Sequence, residues 1–237
     1  YIIYIYMSFS STTEYGGWAN LPYYKFNKDM IMYSFGAGED ISYEYYLSGK
    51  KDLNIYIFDP TPRAIEHYNY CKKIYIGEIE PIYNNKLGGG DIRYNDIILE
   101  SNANIDKINY IPYGLYNVNK MIEFYVPKKK EWVSLSINNL QNTNETIELE
   151  VKTIDKIMKK LLHKNIDILK LNIEGAEIAS LDYMIEKTKI RPKWICVKFE
   201  LRRDLASGNK PTNELIDKLL IEYNIIYKHM DNYTFEL

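Results

Sequence analysis

Cysteine, histidine, arginine and long apolar runs are all scarce in this chain, and each scarcity closes off a class of protein. Two cysteines, Cys71 and Cys196, cannot build a disulfide framework and have no metal-ligand spacing around them. They fit a soluble protein of a reducing compartment, so a cytoplasmic location is the expectation. Three histidines, His67, His163 and His229, fall in separate segments, share no metal spacing and are expected at the surface or at helix ends. No apolar run approaches the ~20 residues that a membrane span needs. Net charge is missing too: 30 Lys and Arg against 32 Asp and Glu leave −2, so there is no bulk attraction for a phosphate backbone. Arginine is confined to Arg63, Arg93, Arg191, Arg202 and Arg203, while Lys, Ile, Asn and 24 Tyr are heavily used. The favoured residues have AT-rich codons, so the tyrosines record a genomic habit and are not read as an aromatic binding surface. The chain begins at Tyr1 without Met and is expected to be an excerpt, with any targeting segment upstream.

What is present is ordinary globular composition. Hydrophobic residues make up 46% and charged residues 26% of 237, enough apolar surface to build a core and to exclude disorder over most of the chain. Residues 1–13, a β-prone Tyr1–Tyr6 followed by a Ser/Thr cluster, read as an N-terminal extension or connector, and 14–237 as one domain. Within it, strands are expected at Met30–Phe35, Asn54–Phe58, Ile108–Pro112, Met121–Val126, Ile166–Ile173, Trp194–Phe199, Tyr223–Tyr227 and Tyr233–Leu237. Helices are expected after Asp40, from Thr61-Pro62, from a Thr153 cap with Ile154, Ile157, Met158, Leu161 and Leu162 on one face, after Glu177, and from Pro211. Asn84–Asn104, with Gly88-Gly-Gly90, reads as a loop, and Asp231-Asn232 as a turn. Strands alternating with helices argue for an α/β domain with a mostly parallel sheet joined by right-handed crossovers. Ligands bind such sheets beyond the carboxyl ends of the strands, near the switch in strand order.

Two segments carry candidate chemistry. Gly36-x-Gly38 follows the first core strand and precedes a helix, which lets backbone approach a ligand beside free helix N–H groups. By itself G-x-G is a common pattern. It gains weight because Asp59 ends the next strand 21 residues on, where an acidic side chain accepts both hydroxyls of a ribose. The alternative is a tight turn and a helix-capping Asp. The pattern suits NAD, FAD or S-adenosylmethionine equally. The second segment is Lys170-Leu-Asn172-Ile-Glu174-Gly-Ala-Glu177: alternate side chains on a strand share a face, which groups Lys170, Asn172 and Glu174. A lysine inside a buried strand needs a partner, so it marks either a polar site or a structural ion pair.

A longer series of motifs is co-linear with a known family. Gly16-Gly-Trp18, Ser34-Phe-Gly-Ala-Gly-Glu-Asp-Ile-Ser42, Phe58-Asp-Pro-Thr-Pro-Arg-Ala-Ile65, Gly114-Leu-Tyr116, Phe124-Tyr-Val-Pro127, Val133-Ser-Leu-Ser-Ile137 with Asn139-Leu-Gln-Asn-Thr143, and Ile166–Glu177 occur in that order. The set resembles the FkbM family of S-adenosylmethionine-dependent methyltransferases, in the branch with G-x-G-E-D-I-S and F-D-P-T-P motifs, from about Gly16 to Arg203. The resemblance implies a class I methyltransferase fold, Rossmann-like, with a seven-stranded sheet ending in a C-terminal antiparallel hairpin. It implies methyl transfer from S-adenosylmethionine to an oxygen of a sugar (glycan modification) or another small hydroxylated acceptor. Gly36 and Gly38 would lie under the methionine part of the cofactor, Glu39 and Asp40 would line the loop, and Asp59 would hold the ribose. Lys170, Asn172, Glu174 and Glu177 would border the transfer site as catalytic candidates.

Three positions depart from the family pattern. Asn172 stands where relatives usually have Asp in K-L-D-I-E-G, Leu135 where they have His in V-S-H-S, and Lys198 where they have Glu in V-E-F. An amide neither accepts a proton well nor holds Mg²⁺, which the sequence does not otherwise support. Two further readings therefore accompany the enzyme: a degenerate member that binds the cofactor or a partner without catalysis, and an RNA 2′-O-methyltransferase, which Lys170 favours and the net charge opposes.

Overall fold

The computed structural model describes residues 21–83, 93–129, 134–139, 142–200 and 209–237. Tyr1–Tyr6, the Ser/Thr connector, Gly16-Gly-Trp18, Gly88–Gly90, Arg202 and Arg203 lie outside the described residues. The strand β1 (Ile31–Phe35) leads through the glycine loop into the helix α1 (Ser42–Lys51). β2 (Asn54–Phe58) leads into α2 (Pro62–Tyr75), with Pro62 at the first position, where a missing N–H breaks no helical bond. Then come α3 (Tyr94–Leu99), β3 (Ile108–Ile111), β4 (Gly114–Leu115) and β5 (Lys120–Tyr125). β6 (Thr146–Lys152), α4 (Ile154–Leu161), β7 (Ile168–Leu171), α5 (Glu177–Lys187) and β8 (Trp194–Lys198) follow. α6 (Lys210–Leu219) precedes the terminal hairpin β9 (Asn224–His229) and β10 (Asn232–Glu236).

Seven strands form one sheet in the order β3-β2-β1-β7-β8-β10-β9. The first five run parallel, and β10 is antiparallel to both of its neighbours, as the sequence pattern led one to expect. Order reverses between β1 and β7, so the crevice for a ligand lies beyond Phe35 and Leu171. The central strands are buried on both faces because alternate residues serve two separate cores. Met32, Ile55, Ile57, Ile168 and Cys196 pack beneath α1, α2 and α3. Tyr33, Phe35, Phe58, Leu169, Leu171, Ile195 and Val197 pack with α4, α5 and α6. Phe35 and Phe58 stack at 4.4 Å next to the crevice. Among the described residues no helix is long and apolar enough to cross a membrane.

The structure adds what the sequence reading left out. β6 is the centre of a second, three-stranded sheet, β4-β6-β5, with a small core of Phe124, Leu149 and Val151. Its Ile147, Leu149 and Val151 alternate with polar residues, a period-two pattern that belongs to a strand with one wet face. Part of the expected loop Asn84–Asn104 is α3, six residues too short to show helical periodicity, and held by the buried Tyr94 and Ile98. Thr153 does occupy the N-cap of α4, yet its hydroxyl and amide engage the side chain of Asn119 instead of a helix amide. Leu162 leaves the expected apolar face: the helix ends at Leu161, and Leu162 turns left-handed and outward. The closing turn falls one residue earlier than expected, with Asn232 already in β10.

α1 approaches the chain after α3 so closely that Gly49 has no room for a side chain. A Cβ there would lie 1.8 Å from the carbonyl oxygen of Ser101. In an open helix, Gly→Ala is worth about 1 kcal/mol of added stability. Gly49→Ala is expected to do the opposite, and a urea midpoint below wild type is the outcome that checks this packing.

Candidate functional site

The glycine loop is clamped between two strand ends. The Gly36 amide donates to the Phe58 carbonyl at 2.9 Å, and the Asn172 amide donates to the Phe35 carbonyl at 3.0 Å. Gly36 has φ +87°, and a Cβ on it would sit 1.9 Å from the Asn172 carbonyl oxygen. Glycine is thus required here by the neighbouring chain as well as by its dihedral angle. Gly38 is also left-handed, at φ +52°.

Asp59 ties this loop down. Its Oδ2 accepts from the amides of Ala37 (2.9 Å) and Gly38 (3.0 Å), and its Oδ1 accepts from the amide (2.9 Å) and hydroxyl (2.7 Å) of Thr61. A carboxylate offers about four acceptor directions, and all four are used. The side chain is 6% exposed. Asp59 thus joins the glycine loop to the start of α2, at the end of the strand where the ribose of a cofactor was expected. Glu39, in the loop, is ion-paired to Arg63 of α2 at 2.6–2.8 Å.

For Lys170 the geometry is that of the structural ion pair, one of the two expectations. It is 3% exposed, and its Nζ donates to Glu44 Oε1 at 2.9 Å and reaches Ser34 Oγ at 3.3 Å. Ser34 donates to the same Glu44 oxygen at 2.6 Å. This is a buried structural ion pair beneath α1 that presents no group to the crevice. The sequence reading missed Glu44, which stands in the first turn of α1. Glu44 Oε2 is buried with no hydrogen-bond partner. Asp40 is half-buried: Oδ1 accepts from the amide (3.0 Å) and hydroxyl (2.6 Å) of Ser42, and burial raises its pKa.

The turn after β7 contains the remaining candidates. Glu177 is 1% exposed and folds back on its own approach, its carboxylate accepting from the amides of Ile173 (3.1 Å) and Gly175 (3.0 and 3.2 Å). Burial pushes its pKa up to about 7 against the pull of those amides. Like Asp59, it shapes a loop. Glu174 is half-buried in a left-handed conformation, φ +50°, and its carbonyl accepts from Ser136 Oγ at 2.7 Å. Leu135, beside that serine, packs into the apolar core of the small sheet. Parallel register pairs Leu171 with Val197, so Asn172 and Lys198 follow side by side at the rim. Gly36, Gly38, Glu39 and Asp40 follow β1 and Asn172 and Glu174 follow the neighbouring β7, while Asp59 and Glu177 bond the amides of these two loops and Lys170 bonds Glu44.

The histidines depart in part from expectation. His67 is buried and hydrogen-bonded to Tyr94 Oη at 2.8 Å, which also accepts from the Ile41 amide at 3.0 Å. Burial lowers its pKa to about 4, so it is neutral. His163 bonds Tyr33 Oη at 2.6 Å, and His229 is exposed. Among the described residues no three His, Cys, Asp or Glu side chains are grouped to hold a metal.

Strand order, the antiparallel end of the sheet and a glycine loop at the switch point define a Rossmann-like methyltransferase fold. The model of the methyltransferase FkbM domain matches residues 52–227, and the chain belongs to that family. The glycine loop precedes the matched span and joins it through Asp59 and Asn172. No curated protein matches the chain.

Two measurements test these supports. Lys170→Met leaves the Glu44 charge buried and is expected to lower stability by about 3–5 kcal/mol, most of which Glu44→Gln in the same chain restores; urea unfolding reads both. For Glu177 the folded pKa is raised from 4.5 to about 7, so the folded state holds its proton more tightly than the unfolded one. Stability from this group is full below about pH 4.5 and is lost as pH rises towards about 7. The stability of wild type relative to Glu177→Gln should fall across that window, as unfolding midpoints at several pH values will show.

Proposed function

We propose that the chain is an S-adenosylmethionine-dependent methyltransferase acting on an oxygen of a sugar or other small hydroxylated acceptor, and that residues 14–237 form its domain. One observation carries the reading. At the switch point, a loop with two left-handed glycines leads into a half-buried carboxylate, Asp40, and α1 beyond it carries a buried unpartnered carboxylate oxygen, Glu44 Oε2. An anionic, close-backed loop fits a ligand with cationic groups better than a dinucleotide pyrophosphate, which seeks positive charge.

Gly36 and Gly38 would let the main chain lie against the cofactor, with Glu39 and Asp40 along its edge and Asp59 holding the loop from behind. When bound, the cofactor supplies a methyl group activated by a sulfonium. The chain supplies position: aligning an acceptor oxygen with that methyl group accounts for about 7–11 kcal/mol of barrier reduction in well-oriented systems. Of the four catalytic candidates, Glu174 is the carboxylate at the rim suited to take the acceptor's proton. Asn172 would hydrogen-bond the acceptor without taking a proton.

A cofactor-binding member without turnover is the second reading. It is favoured by Asn172, Leu135 and Lys198, an amide, an alkyl chain and an ammonium at three positions where relatives usually carry a carboxylate or an imidazole, and by the engagement of Glu177 and Lys170 in scaffolding.

Calorimetry with S-adenosylmethionine, then product formation from radiolabelled cofactor with a glycan panel, separates the readings. Binding and measurable turnover support the enzyme, with Asn172→Asp raising the rate, since general-base help is typically worth roughly 10²–10⁴-fold. Tight binding with no turnover in wild type or Asn172→Asp would favour the second reading. Absence of binding by a folded protein would overturn both.

A further inference from the structure

Charge is segregated on the side of the molecule where β6 runs into α4. On the outer face of the small sheet, antiparallel register sets Glu123 of β5 directly opposite Glu148 of β6, and Met121 opposite Glu150. Glu123 and Glu148 are both exposed, and among the described residues neither has an ion-pair partner. Glu123 accepts from the Thr146 hydroxyl at 3.5 Å, a neutral donor. Like charges directly opposite one another destabilise a sheet. Met121 stands among these carboxylates and is 51% exposed.

α4 presents the opposite sign. Ile154, Ile157 and Met158 are buried, while Lys156, Lys159 and Lys160 are exposed, with an exposed Lys164 just past the helix end. Lys156 and Lys160 are four residues apart, a spacing at which like charges repel. Among the described residues Lys156, Lys159 and Lys164 have no carboxylate partner, and the helix's own Asp155 is engaged by the Tyr183 hydroxyl. Leu162, directly after the helix, is 86% exposed at φ +58°. A bulky residue seldom adopts that backbone conformation. The two regions meet at Tyr113: Lys152 of β6 lies 4.6 Å from its ring centroid, and Lys160 of α4 donates to its hydroxyl. Lys152 is also ion-paired to Glu150 at 2.6 Å. Charges are thus paired at the seam and left unpaired on either side of it.

We propose that this side of the molecule is an interface between two copies of the chain, in which the acidic sheet face of each copy lies on the basic face of α4 of the other. Because the two halves sit side by side, a two-fold axis brings opposite halves together twice. Both like-charge groups are then relieved, and Met121 and Leu162 give each half an apolar centre that leaves water. A polyanion would satisfy α4 alone and be repelled by the adjoining carboxylates, so a second copy is the occupant that fits. The contact is independent of which cofactor the crevice holds.

Sedimentation equilibrium at about 0.1 M and about 1 M salt, where charges act over about 10 Å and about 3 Å, reads the association. Wild type is expected to dimerise at the lower salt and to dissociate at the higher. Two double variants isolate the surface. Glu123→Lys with Glu148→Lys makes both halves basic, and Lys156→Glu with Lys159→Glu makes both acidic. Each alone is expected to raise the dissociation constant at least tenfold, and an equimolar mixture of the two is expected to restore a dimer. Thermal midpoints show that each is folded. Leu162→Asn keeps the interface testable if a charge variant fails to fold, because asparagine suits a left-handed position and lacks the apolar surface. It is expected to raise the thermal midpoint at high salt, where the chain is monomeric, and to weaken the dimer at low salt. A wild type that stays monomeric at low salt would overturn the proposal. So would a dimer that none of the variants weakens, or folded charge variants that do not associate on mixing.

Discussion

A lysine in the middle of a sheet covered on both faces must be neutralised, and much of the arrangement around the crevice follows from how this is done. Lys170 lies between Ser34 and Cys196 in the register of three adjacent parallel strands, where no water reaches it. Its counterion, Glu44, comes from α1, so the ion pair fixes that helix over β1 and β7. Fixing α1 fixes the start of the helix, and with it the end of the glycine loop. An apolar residue at position 170 would pack as well or better in stability terms. A buried pair instead constrains direction, since a hydrogen-bonded carboxylate has few orientations while an apolar contact has many.

Carboxylates do two different jobs in this molecule. Asp59 and Glu177 accept backbone amides and hold the loops after β1 and β7 in shape. Asp40 and Glu174, in the same two loops, are only half-buried. Residue type does not separate these roles. What separates them is whether the neighbouring main chain has turned its N–H groups inward, and the two left-handed glycines of the first loop and the left-handed Glu174-Gly175 turn of the second do so. The crevice is consequently rigid where its loops leave the strands and chemically spare at its rim, a distribution that suits positioning of two ligands more than acid–base power.

The strands and helices of the large sheet were legible because each spans enough residues to show its period and is bounded by Gly, Pro or Thr. The glycine loop was legible because Gly36 and Gly38 mark backbone that L side chains seldom adopt. Elements that escaped were short or one-sided: α3 offers under two turns, and β6 signals itself only by the alternation of Ile147, Leu149 and Val151. Among the candidate residues, Gly36, Asp40, Asn172 and Glu174 were named from motif and spacing. Glu44 was not, because a glutamate on a helix is ordinarily a solvated residue and nothing local shows that it points inward. For Asp59, Lys170 and Glu177 the sequence shows that a charge is there and cannot show which partners surround it.

By itself the sequence determined the α/β class, a mostly parallel sheet and the motifs whose resemblance to the family implied seven strands. These depend on local periodicity and on turn residues, which act over a few positions and are written in the chain. Only the tertiary structure decided which charged side chains face a ligand and which face the protein. That choice rests on hydrogen bonds between residues 22 to 136 positions apart, from Ala37 to Asp59 and from Ser34 to Lys170, and on a buried oxygen whose lack of a partner exists only once every neighbour is in place.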